Sequence, residues 1–230
     1  MIYKASPGHS LSLVSGDRRG KILKDLCRKE LAKMHPNSRI QDAVRGACCN
    51  GQQRGAHQAE YDFSIGKKRI ECKSSFMKWS ARSQEWQVLF YMVKLPWAGI
   101  RERASFDDLY LILVTPDHVD IIKHDLEMFL FKHATSSSYR VHIAGSRKQE
   151  CWKIAYEQIL EKLLGRESRC SLVAQVDLSN PQVQSWISKS LRTASTPQDD
   201  AYNRIPLSGM TSALRDPANC AKIRCDSPSR

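Results

Sequence analysis

The longest apolar runs in this 230-residue chain, Leu109–Thr115 and Val88–Val93, are only as long as a β-strand. A membrane-spanning helix needs roughly 20 consecutive apolar residues, so neither run can serve as one. Leu109–Thr115 reads instead as a buried strand, because it is a short apolar run bounded by turn residues. Pro116-Asp117 supplies the turn after it, and Val119–His124 is expected to pair back as the next strand. Hydrophobic residues make up 41% of the chain, enough for one ordinary domain with a core.

Helical periodicity brackets these strands. Asp17 is a good cap residue, and a helix is expected from there to about Met34. Ile22, Leu23, Leu26, Cys27, Leu31 and Met34 share one face of it, with Glu30 near the middle of that face and Asp25 pointing away. His35-Pro36-Asn37 stops it, since proline cannot continue the hydrogen-bond ladder. Residues 36–59 read as a loop. Tyr61–Ile65 is a strand and Gly66-Lys67-Lys68 a turn. Arg69–Lys73 is a second strand, open to continuation through Phe76–Trp79, and Ser80–Gln84 is a turn. Trp86–Lys94 is β-branched and aromatic, which favours a third strand. Residues 133–148 read as a loop, Glu150–Leu164 as an amphipathic helix capped at Gly165, Leu172–Val176 as a short strand, and Gln182–Leu191 as a helix opened by Pro181. The fold class expected is α/β, a central mixed sheet flanked by helices. It divides into an irregular segment 1–16, a main domain 17–178, and a short helix with a poorly ordered tail over 179–230.

Charge narrows the partners. The formal net charge is +12, and residues 1–105 hold 20 Lys and Arg against 9 Asp and Glu, a surplus of 11. A field of that sign concentrates a polyanion, and nucleic acid is the expected one, since phosphate neutralisation dominates its binding. A basic but inert surface would have the same composition. No secretory signal is expected at the N-terminus, which points to an intracellular protein, cytoplasmic or nuclear. The acid-free, Ser-rich residues 1–16 leave organelle targeting open. Eight cysteines form no Cys-x2-Cys pair, so free thiols in a reducing compartment are expected rather than a zinc site.

The chemistry concentrates in Glu60-Tyr61-Asp62-Phe63 and Arg69-Ile70-Glu71-Cys72-Lys73. Side chains alternate along a strand, so Glu71 and Lys73 point the same way while Ile70 and Cys72 take the other face. A hairpin brings Asp62 across from them. Two converging carboxylates repel, and a hard divalent cation such as Mg²⁺ (or Mn²⁺) resolves the conflict. Such an ion activates a bound water, and the lysine ammonium positions that water and offsets charge on a phosphorane-like transition state.

This arrangement resembles the Asp…(Asp/Glu)-x-Lys signature of the restriction-endonuclease-like nucleases, matched here by Asp62 and by Glu71-Cys72-Lys73. The resemblance spans roughly residues 17–178, though few of those residues are specific to it. It implies a restriction-endonuclease-like core, a Mg²⁺-dependent endonuclease acting on DNA, and products with 5′-phosphate ends. RNA stays open as a substrate, and double-strand cutting would imply a homodimer. In that family a helix before the Asp strand often supplies another acid, a role Glu30 matches. The alternative for Glu30 is a pairing with Lys33 or Arg54. Glu60, on the same strand face as Asp62, is either a supporting acid or its replacement. Ser74 either meets a phosphate or ends the strand. Arg54, Lys78, Arg82, Lys94 and Arg101 are candidate contacts to the nucleic-acid backbone, and Trp79 and Trp86 either stack on bases or pack the sheet. Gln87 and Tyr91 also spell the Gln-x-x-x-Tyr pattern of RecB-like members, where it lies on a helix, and the expected strand here makes the match a coincidence. A binding protein without catalysis on the same fold, and a domain in which Glu71 and Lys73 are a surface ion pair, are the competing readings.

Overall fold

A computed structural model describes residues 2–43, 61–93, 106–124, 139–165 and 170–193. After a 3-10 turn at Ile2–Ala5 come the short helix α1 (His9–Ser12) and the long helix α2 (Gly16–Met34). Strands β1 (Ile40–Asp42), β2 (Phe63–Ile65), β3 (Lys68–Phe76), β4 (Lys78–Ser80) and β5 (Glu85–Val93) follow. The chain continues with β6 (Asp108–Val114), β7 (His118–His124), β8 (Tyr139–Ala144), α3 (Trp152–Leu164), β9 (Ser171–Asp177) and α4 (Pro181–Thr193). Six strands form a mixed sheet in the order β1-β2-β3-β6-β7-β9, in which β3 and β6 are parallel and the other neighbours antiparallel. A smaller antiparallel sheet has the order β4-β5-β8. The fold is mixed α/β, with helices flanking these sheets.

The apolar run that opened the sequence argument becomes β6, which is buried on both sides. Tyr110, Ile112 and Val114 face Ile22, Leu23, Leu26, Cys27 and Leu31 of α2 and Ile187 of α4. Leu109, Leu111 and Leu113 face Trp86, Val88 and Phe90 of β5 and Ala155, Ile159 and Leu163 of α3. Each such side chain contributes about 1.5–3 kcal/mol when fully buried, so one strand ties two cores together. Residues up to Leu191 form one compact unit. Leu11 before the expected domain and Ile187 after it are both in the α2-side core, so the packed body reaches past 17–178 at each end. The tail expected beyond residue 193 lies outside the described residues. Among the described residues, no helix is long and apolar enough to cross a membrane.

Several expectations need correction. The segment 133–148 is not all loop, because Tyr139–Ala144 pairs with β5. Buried Val141 and Ile143 flank the exposed His142 there, a pattern too short to stand out beside the polar run 135–138. Ile40–Asp42, placed in a loop, is an edge strand against β2. Residues 1–16 are not irregular throughout: α1 buries Leu11, and Gly8 N donates to Pro116 O at 2.9 Å. A Cβ on Gly8 would sit 3.1 Å from both Pro116 O and Thr115 O, which is why this close approach uses glycine. The cap of α2 is Ser15, whose hydroxyl accepts from Arg18 N at 3.4 Å, and Asp17 sits in the first turn instead. Met34, placed on the apolar face, is 53% exposed. The strand left open beyond Lys73 continues to Phe76 but not through Trp79, because the chain passes from the large sheet to the small one at Met77. Trp79 and Trp86 pack the small sheet edge to face at 5.7 Å, and the buried Trp86 indole donates to Lys148 O.

A polar cluster around the buried Asp120 joins the start of β7 to α3 and β9. His118 Nδ1 is 2.5 Å from Asp117 Oδ1, and its Nε2 is 3.4 Å from Oδ2 of the fully buried Asp120, an ion-pair contact longer than a good hydrogen bond. Gln175 donates to Asp120 Oδ1, and the Tyr156 ring stands edge-on to the imidazole. Burial alone would lower the His118 pKa, but Asp120 and Asp117 outweigh it and raise the pKa above the ordinary value. Since the folded state favours the charged imidazole, its contribution is complete below the unfolded value of about 6.5 and is lost as pH rises through the raised folded value. Melting temperature followed from about pH 5.5 to about pH 8.5 should therefore decline more steeply in the wild type than in His118→Gln. Parallel profiles would show that His118 does not stabilise the fold as a cation.

Candidate active site

The β2–β3 hairpin turns through Gly66 and Lys67, with Gly66 at φ 59°, a left-handed value that glycine adopts freely. The register pairs Phe63 with Ile70, Ser64 with Arg69 and Ile65 with Lys68. Arg69 secures the base of the hairpin to the start of β6 through a bidentate contact with Asp107, at 3.0 and 3.1 Å. The hydrogen bonds from Arg69 hold the Asp107 carboxyl below the usual carboxylate range.

Asp62 lies one residue before β2, not on a strand beginning at Tyr61 as expected. Its backbone N–H donates to Ile70 O at 2.8 Å, and its Oδ2 accepts from Cys72 N–H at 2.8 Å. A carboxylate therefore takes the amide that a longer β2 would have bonded. Further along β3, the Ser75 hydroxyl donates to Leu89 O and accepts from Leu89 N, so a side chain again substitutes for a backbone ladder. Between these two points the edge of β3 borders a cavity of about 470 Å³.

Glu71 and Lys73 are joined as the strand alternation requires, with Lys73 Nζ 2.7 Å from Glu71 Oε1. Glu71 is 8% exposed, so this is no freely solvated surface pair. Lys73 and Ser74 line the cavity together with Asp62 and Cys72. Its opposite wall is a stripe of α2 formed by Gly16, Asp17, Gly20, Lys21 and Lys24. Lys24 Nζ stands 3.5 Å from Asp62 Oδ1. The sequence reading missed Asp17, Lys21 and Lys24 as site residues. Their signal was the i, i+4, i+7 spacing, which puts all three on one helical flank.

Glu30 is not in the cavity wall. It forms contacts of 2.7 and 2.9 Å with Lys33, the pairing left open as its alternative. It lies six residues past Lys24, about 9 Å further along the axis. Lys78 and Arg82 are exposed on and beside the small sheet and do not line the cavity. Glu60, Arg54, Lys94 and Arg101 fall outside the described residues. Behind the wall, Cys27 and Cys72 are free thiols with their sulfurs 3.8 Å apart. Burial, followed by the Cys27 contact, pushes the Cys72 thiol well above its usual pKa, which makes it a poor thiolate ligand.

Among the described residues no group of three or more His, Cys, Asp or Glu side chains gathers as a metal cage would require. Of the two carboxylates expected to hold a metal, Asp62 lines the cavity and is fixed by a backbone amide, whereas Glu71 is buried in an ion pair with Lys73 and does not line it. Carboxylate oxygens are the donor type that a hard cation such as Mg²⁺ takes, completing its shell with water and phosphate.

No family model matches the chain, nor does any curated protein or solved structure. The functional reading therefore rests on the residues themselves.

Proposed function

We propose that the chain is a Mg²⁺- or Mn²⁺-dependent endonuclease with a restriction-endonuclease-like core, hydrolysing phosphodiester bonds in DNA. The observation that carries this reading is the edge of β3. There Asp62 is held against the Cys72 amide and lines, with Lys73, one cavity opposite a lysine-bearing helix, while Glu71 is buried outside the cavity lining in an ion pair with Lys73. Asp62 and Glu71 would hold the ion. When bound, the ion would polarise the scissile phosphate and make a water a competent nucleophile near neutral pH.

The chain's own groups have distinct roles. Glu71 fixes the Lys73 ammonium in the cavity wall, where it can donate to a nucleophilic water or to a phosphate oxygen gaining charge. The Cys72 amide aims the Asp62 carboxylate and stops it from rotating away. Lys21 and Lys24 present positive charge to the substrate backbone from the opposite side. The burial of Glu71 and the amide-anchored Asp62 favour this reading over a solvated surface ion pair.

The test is supercoiled plasmid incubated with purified protein in Mg²⁺ and, separately, in Mn²⁺. The wild type should nick or linearise it, and Glu71→Gln, which keeps the side-chain shape but removes the charge, should cut at least about 100-fold more slowly. Binding without cleavage by the wild type in both ions would replace this reading with a nucleic-acid-binding protein. Equal cleavage by Glu71→Gln would move the chemistry elsewhere.

A further inference from the structure

Tyr91 is an aromatic side chain in an unusual place. On β5, Trp86, Val88 and Phe90 turn into the core, while Tyr91 takes the other face and is 53% exposed. It forms part of the wall of the same cavity as Lys21, Lys24, Lys73 and Asp62. Tyr91 belongs to neither of the two packed cores. A ring beside lysines is, however, the equipment that single-stranded nucleic-acid sites use: cations track the phosphates, and the aromatic face stacks on a base whatever its identity.

We propose that the cavity receives one unstacked nucleotide of a single strand, its phosphate facing Lys21 and Lys24 and its base lying on Tyr91. This rests on the nuclease reading and narrows its substrate to single-stranded DNA or a locally opened duplex. In an intact duplex each base is sandwiched between its neighbours, so a ring set in the wall of a cavity cannot stack on it without extrusion, at a cost of unpairing and unstacking. A single strand presents base face and phosphate together without that cost. The cavity, about 470 Å³, has room for one small organic group. The surplus of 11 positive charges over residues 1–105 attracts either form, so stacking and not charge is the discriminating contact.

The experiment is fluorescence anisotropy with a labelled single-stranded oligonucleotide and its blunt duplex, in EDTA so that no cleavage intervenes. Wild type, Tyr91→Ala and Tyr91→Phe are compared, with melting temperatures as a control for folding. Tyr91→Ala should bind the single strand roughly tenfold more weakly while its duplex affinity is unchanged. Tyr91→Phe, which keeps the ring and loses the hydroxyl, should bind the single strand as the wild type does. Lys24→Ala should weaken both forms alike and reduce the salt slope by about 1. Single-strand affinity unchanged in Tyr91→Ala, or lost equally for both forms while Tyr91→Phe stays intact, would overturn the stacking proposal. Failure of the nuclease reading appears separately, as wild-type protein that binds oligonucleotides and cleaves none in Mg²⁺ or Mn²⁺.

Discussion

Lys73→Ala should lower the rate of Mg²⁺-dependent cleavage by about 10²- to 10³-fold while leaving nucleic-acid binding nearly unchanged. The size follows from removing one preorganised donor aimed at developing charge. Binding survives because many phosphates and cations share it. The substitution has a second effect, since Lys73 is the cation 2.7 Å from the buried Glu71. Removing one partner of a buried pair can cost about 3–5 kcal/mol, and this pair, with Lys73 24% exposed, should lose less. Lys73→Arg separates the two effects. It keeps a positive charge beside Glu71 but moves it to a longer, planar group, so the melting temperature should recover while most of the activity stays lost. Activity in Lys73→Arg close to wild type would mean that Lys73 matters for charge alone.

Asp62 should divide cleanly into a structural and a chemical half. Asp62→Asn retains an oxygen that can accept from the Cys72 amide, so the hairpin should keep nearly its full stability. It loses the formal charge, so cleavage in Mg²⁺ should fall by at least about 100-fold. Asp62→Ala loses the acceptor as well. The Cys72 amide, in a part-buried position, is then left without its side-chain partner, a cost of about 1–3 kcal/mol. Thermal denaturation of the two variants beside a plasmid-cleavage assay checks both halves. Equal stability of Asn and Ala variants would show that the amide contact contributes little, and full activity in either would remove Asp62 from the chemistry.

The geometry of the site was readable from the sequence to the extent that it depended on local rules. Strand alternation fixes Glu71 and Lys73 on one side, and they are found bonded. The two-residue turn at Gly66 sets the register that brings Asp62 beside Cys72. The arrangement was not readable where it depended on the third dimension. A helical wheel finds the apolar face of α2, and Glu30 falls on it. Whether a position at the far end of a 19-residue helix still lies over the sheet depends on packing that periodicity does not contain. The flank that does meet the site, Asp17 to Lys24, looks like a solvated face in sequence. The parallel pairing of β3 with β6 was hidden for a similar reason. The connection between them carries two strands of the second sheet, β4 and β5, and only the packing of Trp86 and Phe90 under Leu109, Leu111 and Leu113 reveals where it returns. Strands β1 and β8 exist because a partner receives them, and β1 has only three residues.

The carboxylate on the Cys72 amide gives the site a built-in reporter. Glu71 and Lys73 ride on a strand locked to β6 through seven residue pairs, whereas β2 is three residues long. Local opening exposes short, edge-proximal structure before it reaches a central strand. The two halves of the acid pair therefore belong to parts of the molecule with different opening free energies. Hydrogen exchange at the Cys72 amide faster than at the β3 amides bonded to β6 would therefore report the unseating of Asp62 separately from opening of the sheet.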